Sequence, residues 1–158
     1  MKLNQYLSSN RDKATILIRF VVGIVFLTEG LQKFIYPGLR GAGRFEGIGI
    51  PFPEFTGYMV GGFEVICGLL ILIGFLTRFA AIPLIIIMLT ALFTTKIPIL
   101  LGHEFLGFSL RDLDQYGFLS MMHEARTDLA MLFGSLFLFI KGGGYWSLDI
   151  RFWPKEKS

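Results

Sequence analysis

Apolar residues collect into about four long runs, separated by segments rich in glycine, proline and charge. A membrane-crossing helix needs roughly 20 predominantly apolar residues. The runs that meet or approach this length lie near 14–34, 55–75, 79–100 and 125–140. The fourth is the shortest, which puts its polar opening turn at the interface. Pro83 falls in the first turns of the third run, where a missing N–H costs little, and Pro98 is expected to close that helix.

The first intervening segment, 35–54, holds Pro37, Gly38, Gly41, Gly43, Gly47, Gly49, Pro51 and Pro53, too many breakers for a long helix. Its Phe45, Ile48, Ile50 and Phe52 predict a loop folded back on the bundle mouth. The second, 101–123, mixes Phe105, Leu106, Phe108, Leu110, Leu113, Tyr116 and Phe118 with charges, and reads as one or two short interfacial helices. After the fourth run, Gly142–Gly144 end the helix. Tyr145, Trp146, Phe152 and Trp153 follow as an aromatic anchor.

Composition agrees with a lipid environment. Of the 158 residues 53% are apolar and 17% charged, and the mean hydropathy is +0.61. Nineteen glycines suit close helix–helix approach in a bilayer. The length fits one domain over 1–158. The net charge of +3 is scattered or flanks apolar runs, which is not a nucleic-acid footprint. Cys67 is the single cysteine, excluding an intrachain disulfide or a CxxC redox pair. The first apolar run is too long for the core of a cleavable signal peptide.

The basic residues set an orientation. Lys2, Arg11 and Lys13 precede the first run, Arg78 links the second and third, and Lys141, Arg151, Lys155 and Lys157 follow the fourth. The positive-inside rule puts these segments, and both termini, in the cytoplasm. In the two longer loops, Arg40, Arg44 and Arg111 are offset by Glu46, Glu54, Glu104, Asp112 and Asp114, and these loops should face outward.

Within the runs lie acids and bases that are costly at membrane depth and normally pair, face a bundle interior or mark a ligand site. They are Glu29 and Lys33 in the first, Glu64 in the second, Lys96 in the third, and Arg126 and Asp128 in the fourth. With alternating helix direction they share the outer half: Glu29 about 7 Å outside the midplane, Glu64 close to it, and Lys96, Arg126 and Asp128 roughly 9–12 Å outward. The three acids and three bases balance. Arg126 and Asp128, two residues apart, point to nearly opposite sides, so one of them, Arg126, should bend toward the mouth. Arg19, near the cytoplasmic end, is expected to snorkel. Two readings stand: structural glue between helices, or a polar pocket for a quinone-like headgroup, protons or a polar solute. His103-Glu104 and His123-Glu124 carry no HExxH spacing and read as helix-capping polar residues, so no metal is assigned.

The residues also carry a resemblance. Arg19, Gly23, Phe26, Gly30, Lys33 and Phe34 resemble the opening pattern of the DoxX family of small four-helix membrane proteins. Glu64, Gly68, Gly74, Thr77 and Arg78 are similar to its second-span pattern, and Gly142, Gly144, Ser147 and Asp149 to its closing one. Arg126-x-Asp128 resembles the start of its fourth span. The resemblance implies an all-α integral membrane four-helix bundle in a bacterial inner membrane. It also implies a role in a redox-linked membrane assembly with other subunits, with quinone as the cofactor it suggests. The lone Cys67 departs from thiol-active relatives that carry paired cysteines. A structural or assembly subunit and a small-solute transporter remain as alternatives.

Overall fold

The computed structural model describes residues 12–152, and among these it contains helices and no strand. Lys2, Arg11, Trp153, Lys155 and Lys157, used above for orientation and anchoring, lie outside the described residues.

The first long helix, α1, is Thr15–Ile35. Its buried positions Thr15, Arg19, Val22, Gly23, Phe26, Gly30 and Lys33 recur at helical spacing and define its inward stripe. It stops at Tyr36, ahead of Pro37, because the residue before a proline avoids the helical region. The following segment forms two short helices, α2 (Pro37–Arg40) and α3 (Ala42–Ile48). Phe45, Ile48 and Ile50 are half-buried, whereas Phe52 is exposed and sits in the left-handed region at φ 51°.

Helix α4, Pro53–Ile73, starts with proline at its first position, where no N–H is needed, and ends at Gly74 with φ 70°. There Phe75 N–H donates to Leu70 O and Gly74 N–H to Ile71 O, a glycine cap that ends the helix before the expected residue 75. The third span is Thr77–Ala91 (α5), a π-helical turn Leu92–Lys96, and Ile97–Leu101 (α6). Pro98 therefore does not close it. Proline cannot donate to Thr94 O and crowds that carbonyl, and the backbone accommodates it by widening one turn rather than stopping. The helix runs three residues further, to Leu101, and is capped by Gly102 with φ 73°.

Segment 102–117 holds no helix, contrary to expectation. An isolated bridge joins Phe105 to Phe108, and glycines with positive φ at 102, 107 and 117 punctuate the loop. Helix α7, Phe118–Lys141, then begins seven residues ahead of the apolar run at 125. Segment 118–124 joins the helix because Leu119, Met121, Met122 and Glu124 are good helix formers, a property that hydropathy alone does not register. Helix α8, Leu148–Phe152, closes the described chain.

α1 and α4 pack most intimately, through glycine. A Cβ on Gly30 would lie 2.8 Å from Gly61 O, and one on Gly68 would lie 2.7 Å from Leu27 N. Small residues that let backbones touch are a principal source of helix association in lipid. α5 packs on α7 and on α4, and α7 also meets α1, where a Cβ on Gly134 would lie 2.6 Å from Val22. The shared core includes Val22, Phe26, Ile71, Leu84, Met88, Leu132 and Leu138.

Among the described residues, three helices are long and apolar enough to cross a membrane: Thr15–Ile35, Pro53–Ile73 and the compound helix Thr77–Leu101. α7 is longer than any of the first two but carries Glu124, Arg126 and Asp128 in its first half.

Candidate functional site

The α1–α4 contact holds a buried ion pair. Lys33 Nζ donates to Glu64 Oε2 at 2.6 Å, with the two residues 8% and 2% exposed. Glu64 sits in mid-α4 on the stripe of Gly57, Gly61, Gly68 and Ile71 that faces α1. Glu29, one turn before Lys33, is half-buried and lies within electrostatic range of Glu64, as does Arg44 from α3. A carboxylate buried this deeply is tolerated because a cation reaches it.

A second pair joins the other two long helices. Lys96 Nζ lies 3.1 Å from Asp128 Oδ2, with Lys96 buried and Asp128 half-buried. The π turn carries Lys96 and Thr94 inward together, and Thr94 and Thr95 return their hydroxyl protons to the carbonyls of Thr90 and Ala91.

The helix register relates the two pairs. Tyr145 N–H donates to Asp12 O, so the end of α7 meets the start of α1 and the two run antiparallel. Val22 abuts Gly134. Seven residues farther along α1 and back along α7, about 10 Å at 1.5 Å per residue, Glu29 is level with Thr127, beside Asp128. By this register Glu29, Lys33, Glu64, Lys96 and Asp128 lie at similar heights along the bundle, as two closed pairs and one acid that forms no ion pair among the described residues.

Arg126 does not join them. Its side chain is exposed and its guanidinium Nη1 donates to His123 O at 2.6 Å. Farther out, Arg111 pairs with Glu124 at 2.7 Å. The two loops roof the layer together. Ser109 N–H donates to Ile48 O at 2.9 Å, Gly57 lets the start of α3 lie directly on α4, and Gly41 lies against Lys33 O at the end of α1.

Arg19 is the residue that sequence reasoning misread. It does not snorkel but is 3% exposed at the opposite end of the bundle. Its Nε donates to Ile71 O, Nη2 to Leu72 O, and Nη1 to both Gly143 O and Trp146 O. It thereby satisfies carbonyls at the end of α4, where the helix dipole favours a cation. Asp149 works in the opposite sense: its carboxylate accepts from Leu76 N–H and Thr77 N–H and caps the start of α5. The sequence signal was an arginine inside an apolar run together with the closing Gly142-x-Gly144 and Asp149, read there only as a pattern.

The ensemble is that of a helical membrane protein with ionised groups sequestered between its helices. The chain belongs to the DoxX family, whose sequence profile matches residues 14–97. The match spans the first three long helices to Ile97; Arg126, Asp128 and the closing motif lie beyond it. Two relatives extend over more of the chain. The "Uncharacterized membrane protein Rv3486" of Mycobacterium tuberculosis (strain ATCC 25618 / H37Rv) is 50% identical over 138 residues, covering 87% of this chain and 80% of the relative. The "Putative oxidoreductase CatD" of Bacillus subtilis (strain 168) is 30% identical over 135 residues, covering 85% of this chain and 84% of the relative. No solved structure matches.

Proposed function

We propose that the protein is a small subunit of a redox-linked assembly in a bacterial inner membrane, and that the layer around Glu64 receives a quinone-like headgroup. In this reading α7 is a fourth membrane span and both termini are cytoplasmic, which places Lys13, Arg78, Lys141 and Arg151 on the inner side. Glu29, Glu64 and Asp128 are the proton or headgroup acceptors, and Lys33 and Lys96 hold and orient them. Partner subunits would supply the electron transfer that this chain's side chains do not.

The observation that carries the reading is the Lys33–Glu64 pair at 2.6 Å, buried between two apolar helices, with Glu29, which forms no ion pair among the described residues, in electrostatic range. A buried pair alone is weak evidence of stabilisation, since apolar residues would fill the same space at less desolvation cost. A pair plus a third acid offers a hydroxyl or carbonyl of an apolar ring both a donor and acceptors. The name given to the Bacillus subtilis relative points the same way.

A second reading, an assembly subunit whose pairs are helix glue, is favoured by the division of labour: one pair ties α1 to α4, the other the third span to α7. A small-solute transporter is the third. The test is gentle purification from the native membrane, with identification of lipid-soluble cofactors and co-eluting chains. Bound quinone supports the first reading. Partners without quinone support the second. Solute uptake by liposomes holding the pure chain would support the third.

A further inference from the structure

Arg126 is a charge that the proposed headgroup site does not use, and it stands on the outside of the bundle. The stripe Leu119, His123, Arg126, Ala130 and Phe133 runs down one face of α7, and every member is exposed. Leu119 is 82% and Phe133 65% exposed, so none of the described residues covers this face. The other charges of this half-helix turn elsewhere: Glu124 to Arg111 and Asp128 to Lys96. Arg126 gives one Nη1 bond to His123 O, and among the described residues no further acceptor meets the rest of its fork.

The geometry favours one occupant. α7 has 24 residues, about 36 Å at 1.5 Å per residue, against a hydrocarbon core of about 30 Å. The excess of about 6 Å lets about one turn at its start project beyond the core, and Arg126, about 12 Å from Phe118, reaches back toward it through His123 O. A long arginine stem carries its head to the interface in this way. The group waiting there is a phosphodiester, whose oxygens match the planar guanidinium fork. Below it, Ala130 beside the exposed Phe133 leaves a small-against-large step for an acyl chain. Two-fold pairing with a second copy along this stripe would oppose Arg126 to Arg126, which like charge disfavours.

We propose that this face of α7 is a seat for an anionic phospholipid, with its phosphate on Arg126 and its chain along Ala130 and Phe133. The inference rests on α7 lying in the bilayer, and the experiment separates the two. Purified full-length chain in non-ionic detergent is mixed with phosphatidylglycerol, with diacylglycerol, or with inorganic phosphate, and retained molecules are counted by native mass spectrometry. Phosphatidylglycerol should bind with defined stoichiometry. R126Q should weaken it by about tenfold or more, as loss of a charge-assisted contact does, R126K should weaken it less, and R40Q, at an exposed arginine of α2, should leave it unchanged. Equal retention by R126Q, equal retention of diacylglycerol, or displacement by millimolar inorganic phosphate would each overturn the seat. In parallel, F133W should gain fluorescence quenching from bromine-labelled acyl chains. Quenching without an effect of R126Q would leave α7 in lipid but end the proposal. Absence of quenching would remove the span on which it stands.

Discussion

Lys33 and Glu64 each stand on a glycine of the opposite helix. A Cβ built on Gly61 lies 3.2 Å from the Cβ of Lys33, and one built on Gly30 lies 2.9 Å from the Cβ of Glu64. The same two glycines that let α1 and α4 touch also leave the room in which the ion pair forms, so packing and electrostatics at this contact are one feature.

Substitution at these glycines should therefore act twice. Gly30→Ala would set a methyl group 2.8 Å from Gly61 O and Val65 N, distances that the backbones must relieve by separating. The expected cost is about 1–3 kcal/mol, the range for overpacking a tight contact. Gly62→Ala, where nothing lies within 4 Å, should be neutral or gain up to about 1 kcal/mol from helix propensity. Thermal unfolding in detergent distinguishes them, with Gly30→Ala lower and Gly62→Ala at or above the parent.

The pair itself predicts strong non-additivity. Lys33→Met or Glu64→Leu alone leaves a buried charge without its partner and should cost about 3–5 kcal/mol. The double replacement should recover most of that, because two apolar side chains need no desolvation. A double-mutant cycle on detergent unfolding measures the coupling. Additive single losses would mean that the two groups do not share one interaction.

At the opposite end, Arg19 and Asp149 predict a structural phenotype. Arg19→Lys keeps the charge but lacks the planar fork that reaches four carbonyls on two segments. Asp149→Asn keeps the shape and loses the anionic cap on Leu76 and Thr77. Each should lower stability by about 1–3 kcal/mol, the scale of charge-assisted hydrogen bonds and caps. Limited proteolysis should then detect earlier cleavage around residues 142–152 before the rest of the chain opens.

Much of the fold was legible because lipid simplifies the code. Three runs of apolar residues appear as three long helices whose ends shift by a few residues, and Gly74 and Gly142 stop helices as glycines with positive φ do. What escaped notice depends on contacts distant in sequence or on propensity rather than hydropathy. Arg19 reads as a snorkelling cation because its carbonyl partners lie 52 to 127 residues away. Pro98 reads as a stop because the π turn that absorbs it has no sequence signature of its own. Segment 102–117 looked amphipathic enough for helix, yet its glycines at 102, 107 and 117 adopt positive φ and turn it into a loop.

The polar layer was partly legible as well. That Glu29, Lys33, Glu64, Lys96, Arg126 and Asp128 are exceptional followed from their depth. Which would pair did not follow, because pairing depends on helix rotation and neighbour order. The structure resolves them into Lys33 with Glu64, Lys96 with Asp128, Glu29 in electrostatic range of Glu64, and Arg126 facing outward.

A quinone-type headgroup bound at the buried groups around Glu64 is what the proposed function requires. Isothermal titration calorimetry of the purified chain with a short-chain quinone measures that binding. The account predicts saturable binding by the parent, loss of about tenfold or more in affinity in Glu64→Gln, in keeping with a charge-assisted contact, and the same loss in the charge-balanced double variant Lys33→Gln/Glu64→Gln while its circular dichroism stays helical. Unchanged saturable binding in both folded variants, or linear partitioning with no saturation in the parent, would contradict it.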